Sequence, residues 1–272
     1  MIAATLVLTG MSASVKVARV ELDTLDIVVW RSVFAIPLSW WWARGVSLRI
    51  ARPAMMAVRV GLGFAAMLCF FTALKGLPLA DTTMITKLQP VLIALGAPLV
   101  LGANERADPK LWGLLLVGLL GTAILVAPGA IEGSVWGLWA LASSVFSAGA
   151  HIALRGLKDE HSGVVVFWLQ VSVCLMALGL VFITKGGLTL PSSHLWPILA
   201  AVALFATGGQ MLMTMAYAAD AASRVAAVRF IGPVWGIAGD VFFFGGWPQL
   251  HVWIGGIIVV TAGVLVTRTA TR

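Results

Sequence analysis

Residues 81–127 read DTTMITKLQPVLIALGAPLVLGANERADPKLWGLLLVGLLGTAILVA, and residues 221–268 read AASRVAAVRFIGPVWGIAGDVFFFGGWPQLHVWIGGIIVVTAGVLVTR. A shift of 143 residues lays the second on the first. Pro90-Val91 falls on Pro233-Val234, Gly96 on Gly239, Gly102 on Gly245 and Gly113 on Gly256. Just upstream, Ala73 falls on Ala216. Each copy is a pair of apolar runs joined by a short turn. Each run is near the ~20 residues that cross a ~30 Å hydrocarbon core at ~1.5 Å per residue. Self-similarity at a long fixed period marks a duplicated structural unit.

Outward from these pairs, apolar runs occupy 1–18, 24–43, 55–75, 81–101, 110–127, 134–155, 162–184, 195–217, 221–244 and 250–268. The predicted fold is all-α: a polytopic membrane protein of ten transmembrane helices, in five-helix repeats spanning 1–130 and 131–272. Five is odd, so the second repeat enters the bilayer from the opposite side and the repeats are inverted. Such repeats place a binding site near the midplane between the halves and expose it to each side in turn. Composition agrees, with 60% hydrophobic and 11% charged residues over 272, against roughly 25% charged in a soluble domain. The run from Met1 to Val15 has no charged n-region and no cleavage site, so it is expected to be a first helix rather than a leader.

The net charge of +7 comes from basic residues scattered between apolar runs. They form no stripe able to track phosphates, so nucleic acid is not an expected partner. Their placement sets an orientation instead. With the N-terminus cytoplasmic, the inner connections and the C-terminal end hold Arg44, Arg49, Arg52, Arg59, Arg106, Lys110, Arg155, Lys158, Arg224, Arg268 and Arg272, eleven in all. The outer connections hold Lys16, Arg19, Lys75 and Lys185, four. A plasma (bacterial inner) membrane protein with both termini cytoplasmic is therefore expected. Tryptophans such as Trp40, Trp41, Trp42, Trp112, Trp136, Trp196, Trp247 and Trp253 fall near helix ends, where amphipathic rings settle.

The segment from Ala73 to Gly121 contains Pro90-Val91, the Gly102-Ala103-Asn104-Glu105-Arg106 turn and Gly113. It resembles the EamA-type repeat of the drug/metabolite transporter (DMT) superfamily. The second copy, with Ala216-Tyr217, Ser223-Arg224-Val225-Ala226, Pro233-Val234 and Ile254-Gly255-Gly256, is similar. Gly245-Gly246-Trp247-Pro248 departs from the pattern, which usually carries an acidic residue at that turn. The resemblance implies a carrier of small organic solutes, often an exporter. It also implies a cavity lined by the fourth and ninth helices together with the first, third, sixth and eighth.

Ionisable groups deep in a bilayer are costly, by at least ~2.5–3.5 kcal/mol on insertion scales, and so mark function. Here they are Arg31, Lys87, Arg229 and Asp240. Thr83, Lys87, Pro90 and Val91 share one helical face, as do Arg229, Pro233, Gly236 and Asp240. Neither Pro90 nor Pro233 can donate to the carbonyl four residues earlier, Thr86 and Arg229 respectively. The two prolines are thus expected hinges that bring polar backbone to membrane depth. Two cations on two opened helices point to a substrate anion such as a carboxylate. The competing reading is that Lys87 snorkels or pairs with Asp81, and that Arg229 pairs with Asp240. Arg31, on a peripheral helix, reads as structural.

Gln89, Gln210 and Ser147 are placed either to bond a polar solute or to glue helices together. His151 is a candidate cavity residue or a locally satisfied histidine. Trp30, Trp168, Trp235, Phe70 and Tyr217 lie away from the interfacial belts, and either wall an apolar cavity or pack between helices. Gly61 to Ala66 fits a loose dinucleotide-loop pattern, but it lies in an apolar helix with no strand before it. Cys69 and Cys174 sit inside apolar runs with no metal-ligand spacing, and there is no P-loop or nucleophile elbow. No cofactor, metal or enzymatic activity is expected. The sequence reads as a monomeric or weakly dimeric secondary transporter exporting amino acids, including aromatic ones, or drugs by alternating access. A lipid-headgroup or nucleotide-sugar carrier on the same fold is the alternative, and an integral membrane lipid-modifying enzyme ranks below it.

Overall fold

A computed structural model describes the chain except for residues 74, 77–81, 83–84, 127–134, 233, 236–237, 239–249 and 270–272. Among the described residues there are ten α-helices and no strand. They are α1 (Ile2–Ala18), α2 (Thr24–Ala43), α3 (Pro53–Ala73), α4 (Gln89–Leu101), α5 (Pro109–Val126), α6 (Val135–Gly156), α7 (Ser162–Lys185), α8 (Trp196–Ala219), α9 (Ala222–Val228) and α10 (Leu250–Thr269). Four segments are long and apolar enough to cross a bilayer: Pro53–Ala73, Val135–Gly156, Ser162–Lys185 and Ser193–Ala219. Shorter apolar helices run over Ile2–Val15, Gln89–Leu101, Pro109–Ile124 and Trp253–Val266. Large apolar side chains face outward, with Leu99 87% and Ile183 83% exposed. That is the surface expected of a chain solvated by hydrocarbon.

Helix bounds follow the apolar runs closely, except in the fourth and ninth. There the expected continuous helices are broken. Ile85 and Thr86 are helical, Lys87 and Leu88 form a turn, and α4 starts at Gln89 with Pro90 in its first turn. In the second copy α9 ends at Val228 and tightens into a 3-10 turn over Arg229–Ile231. Proline explains the break, because its missing N–H and its ring disfavour the preceding α turn. Pro233 and Asp240 lie outside the described residues, as does the expected boundary between the repeats.

Each of the first five helices packs on a partner among the last five: α1 on α8, α2 on α7, α3 on α6, α4 on α9 and α5 on α10. Many side-chain hydroxyls are tied to backbone carbonyls, which satisfies them where water is lacking. Thr207 donates to Ala203 O at 2.7 Å, and Ser143 reaches across from α6 to Ala66 O on α3 at 2.8 Å. Small residues let helices approach. A Cβ on Gly163 of α7 would stand 3.0 Å from the Trp42 carbonyl carbon and oxygen on α2. That neighbour is backbone and cannot rotate away. Gly163→Ala is therefore expected to cost about 1–3 kcal/mol through overpacking. A thermal melt in detergent checks this, and an unchanged midpoint would show that α2 and α7 part freely.

One turn joins the halves. Gly102 adopts φ +99°, which a side chain would strain, and the following 3-10 turn Ala103–Glu105 directs Glu105 inward. The Glu105 carboxylate, itself buried, accepts from Arg155 Nε on α6 at 2.8 Å and from the Ala222 N–H at the start of α9 at 2.7 Å. Arg155 Nη1 donates at 2.9 Å to the carbonyls of both Tyr217 and Ala218, at the end of α8. The acid thus caps a helix N-terminus and the guanidinium a helix C-terminus, the favourable sense for both dipoles. Beside this clasp the Asp220 carboxyl is held below its ordinary range. Burial opposes its ionisation, but hydrogen bonds from Arg224 and the Ala221 N–H outweigh burial.

Candidate functional site

The broken segments face a chamber of about 410 Å³. From the fourth span come Thr86, Lys87, Gln89 and Pro90, and from the ninth Arg229. Gly63, Ala66, Met67 and Phe70 of α3 form an apolar wall, with Ser143 and Ser147 of α6 and Met11 of α1 closing it. The first, third, fourth, sixth and ninth spans therefore line it. The eighth stands behind, contributing Gln210 and Tyr217.

Arg229 is the hub. Its Nη1 donates to Gln89 Oε1 at 2.9 Å and lies 3.0 Å from His151 Nε2. Gln89 Nε2 lies 2.7 Å from His151 Nδ1 and 3.3 Å from Ser147 O, and His151 Nδ1 lies 2.6 Å from Ser147 O. The donors and acceptors do not balance. Guanidinium only donates, so His151 Nε2 must accept and the imidazole proton must sit on Nδ1, where it donates to Ser147 O. Gln89 then turns an N–H₂ toward an N–H. Flipping the amide would only move the conflict to Arg229. Gln89 Nε2 and His151 Nδ1 therefore share Ser147 O, and the cluster is rich in donors with no acceptor to spare.

Two more cations adjoin it. Lys87 makes no hydrogen bond or ion pair to a described residue, and its Nζ lies beside Gly232, where a Cβ would stand in ordinary contact at 3.8 Å. Arg59 of α3 is 4% exposed. Its Nη2 donates to Gln210 Oε1 at 3.3 Å while its Nε finds no partner among the described residues. No described carboxylate lines the chamber.

Of the sequence candidates, Lys87, Arg229, Gln89, Phe70 and Pro90 line the chamber, and His151 joins the hub. Arg229 engages Gln89 and His151; Asp240, the partner expected in the competing reading, and Asp81, that for Lys87, lie outside the described residues. Tyr217 is fully buried and packs tilted behind His151, ring centroids 5.3 Å apart, so it supports rather than lines. Gln210 acts through Arg59. Trp235 is half-buried, its Nε1 lacks a partner among the described residues, and it does not line the chamber. Trp30 and Trp168 bond loop carbonyls, of Thr189 and Leu48 at 2.9 and 2.8 Å, so both secure connections. Arg31 does not line the chamber. Arg59 was counted above among the inner connections, yet it lies inside α3 and buried. Its nearness to the end of an apolar run concealed it.

Apolar helices of membrane length, two of them broken beside a polar, cation-lined chamber, mark a multi-pass membrane protein. The chain belongs to the EamA-like transporter family, whose model matches residues 1–127 and again 134–268. It is 30% identical over 264 residues to the pseudopaline exporter of Pseudomonas aeruginosa, covering 95% of this chain and 91% of that one. It is 26% identical to a riboflavin transporter of Rhizobium johnstonii (83% and 74% covered) and 26% to human solute carrier family 35 member G1 (77% and 60%). A solved crystal structure at 20% identity shares the fold, with TM-score 0.83 over 100% of this chain and 96% of that one.

Proposed function

We propose that this transporter exports a small organic anion bearing one or more carboxylates, by alternating access of two inverted five-helix halves. The observation that carries the reading is the donor-rich cluster of Arg229, Gln89 and His151, flanked by Lys87 and Arg59 with no described carboxylate in the chamber. A carboxylate supplies acceptors and negative charge to these cations, and bidentate contact with a guanidinium suits it. The pairing of α1–α5 with α8, α7, α6, α9 and α10 is the pattern that exchange of two inverted halves preserves, which supports the repeat. The breaks at Lys87 and Arg229 supply the flexing points. The relative named as a pseudopaline exporter makes export the favoured direction, from a plasma membrane with both termini cytoplasmic. Free amino acids, expected from the sequence, fit less well, since no described carboxylate lines the chamber to pair with their ammonium group.

The test is uptake into proteoliposomes of a labelled panel: pseudopaline, riboflavin, di- and tricarboxylates, and neutral amino acids. Saturable uptake of a multiply anionic member is expected, with neutral amino acids slower. Lys87→Ala is expected to lower kcat/KM by about 10–100-fold, the worth of one charged hydrogen bond at ~1.5–3 kcal/mol. Preference for cationic or neutral members, or full activity in Lys87→Ala, would refute the anion site.

A further inference from the structure

We propose that a groove on the bilayer face between α3 and α7 seats one acyl chain of an anionic phospholipid, with Arg49 holding its phosphate. The groove, about 630 Å³, lies apart from the chamber. Its α3 wall is a stripe of Met56, Ala57, Val60 and Gly61, and its α7 wall is Trp168, Ser172 and Met176 at spacing four. From Pro53 to Gly61 the wall is about 12 Å long at ~1.5 Å per residue, close to half of a ~30 Å hydrocarbon core. The groove stays open at its deep end, because a Cβ on Gly61 would meet nothing within 4 Å. Apart from the Trp168 indole N–H, which is already bonded, Ser172 is the one polar side chain among the described residues of the two helical walls, so water has little to hold it and hydrocarbon is the fitting filler.

The mouth supplies the charge. Leu48, Arg49 and Ile50 roof the groove, and Trp168 Nε1 donates to Leu48 O at 2.8 Å, fixing that roof at indole depth. The acids nearby are already engaged. Asp159 pairs with Arg52 at 3.3 Å, and Glu160 accepts from the N–H groups of Ala51 and Arg52 at 2.8 and 3.0 Å. Arg49 is exposed, and its side chain has no ion pair among the described residues. An unpaired guanidinium at the top of an apolar slot is complementary to a phosphodiester above a fatty chain. A zwitterionic headgroup offers the same phosphodiester but brings its own cation beside the guanidinium, so a lipid of net negative charge is the better match.

Native mass spectrometry of protein released from nanodiscs of phosphatidylcholine with a minority of phosphatidylglycerol tests this. The wild type is expected to retain one phosphatidylglycerol. Arg49→Gln is expected to lose about tenfold of that preference, one charge-assisted bond, while still holding either lipid. Gly61→Leu fills the slot without touching the charge, and is expected to retain neither. Both variants lie outside the chamber, so solute uptake equal to wild type shows that they are folded. Undiminished phosphatidylglycerol retention in Arg49→Gln, or retention in Gly61→Leu, would overturn the proposal.

Discussion

Arg229→Ala is expected to abolish solute uptake in proteoliposomes, lowering kcat/KM by at least about 100-fold. Two losses combine. The substrate loses a buried cation, worth about 1.5–3 kcal/mol on its own. Gln89 and His151 also lose the guanidinium that orients them at 2.9 and 3.0 Å. Arg229→Lys separates the two losses. It restores the charge but not the planar fork, so partial recovery with a raised KM is expected. Uptake within about threefold of wild type in Arg229→Ala, a factor worth ~0.7 kcal/mol, would remove Arg229 from the site.

The second large effect is on stability. Glu105→Ala leaves Arg155, whose side chain is 13% exposed, without its counter-ion, and leaves the Ala222 N–H without its acceptor. Breaking one side of a buried ion pair costs about 3–5 kcal/mol. A marked drop in the thermal midpoint in detergent is the expected result. Glu105→Gln keeps an oxygen for Ala222 and should fall between. Removing both partners as Glu105→Leu with Arg155→Met should recover much of the loss, since the cost lies in the orphaned charge. A midpoint unchanged in Glu105→Ala would mean that the clasp holds nothing together.

Much of this was legible in the sequence, for identifiable reasons. Apolar runs of membrane length gave the helices. Pro90 and Pro233 marked where two of them would falter, and the break at Lys87–Leu88 appears where proline chemistry puts it. Lys87 and Arg229 stood out because charge is rare at depth. Other features had no local signal. Glu105 and Arg155 are 50 residues apart, and nothing in either neighbourhood announces the other. Both Arg155 and Arg59 sit near the ends of apolar runs, where a basic residue ordinarily reports only orientation. Only tertiary packing shows that they turn inward. Phe70 and Tyr217 looked alike as mid-helix aromatics. Which one walls the chamber and which one braces a histidine depends on helix rotation, which a uniformly apolar run does not specify.

The Glu105–Arg155 clasp has no sequence twin. At the matching position of the second copy the chain reads Gly245-Gly246-Trp247-Pro248, without an acid. In the proposed carrier, two otherwise similar halves would leave the empty protein dwelling equally in its two orientations. A clasp built at one copy of this repeated turn and not at the other tilts that balance, and ~1.4 kcal/mol sets a tenfold ratio of populations. The unloaded protein would then wait mostly with the clasped face shut, and the return stroke rather than the loaded one would govern turnover. Rectification, a property usually sought in a coupling ion, would here reside in one short turn between two helices.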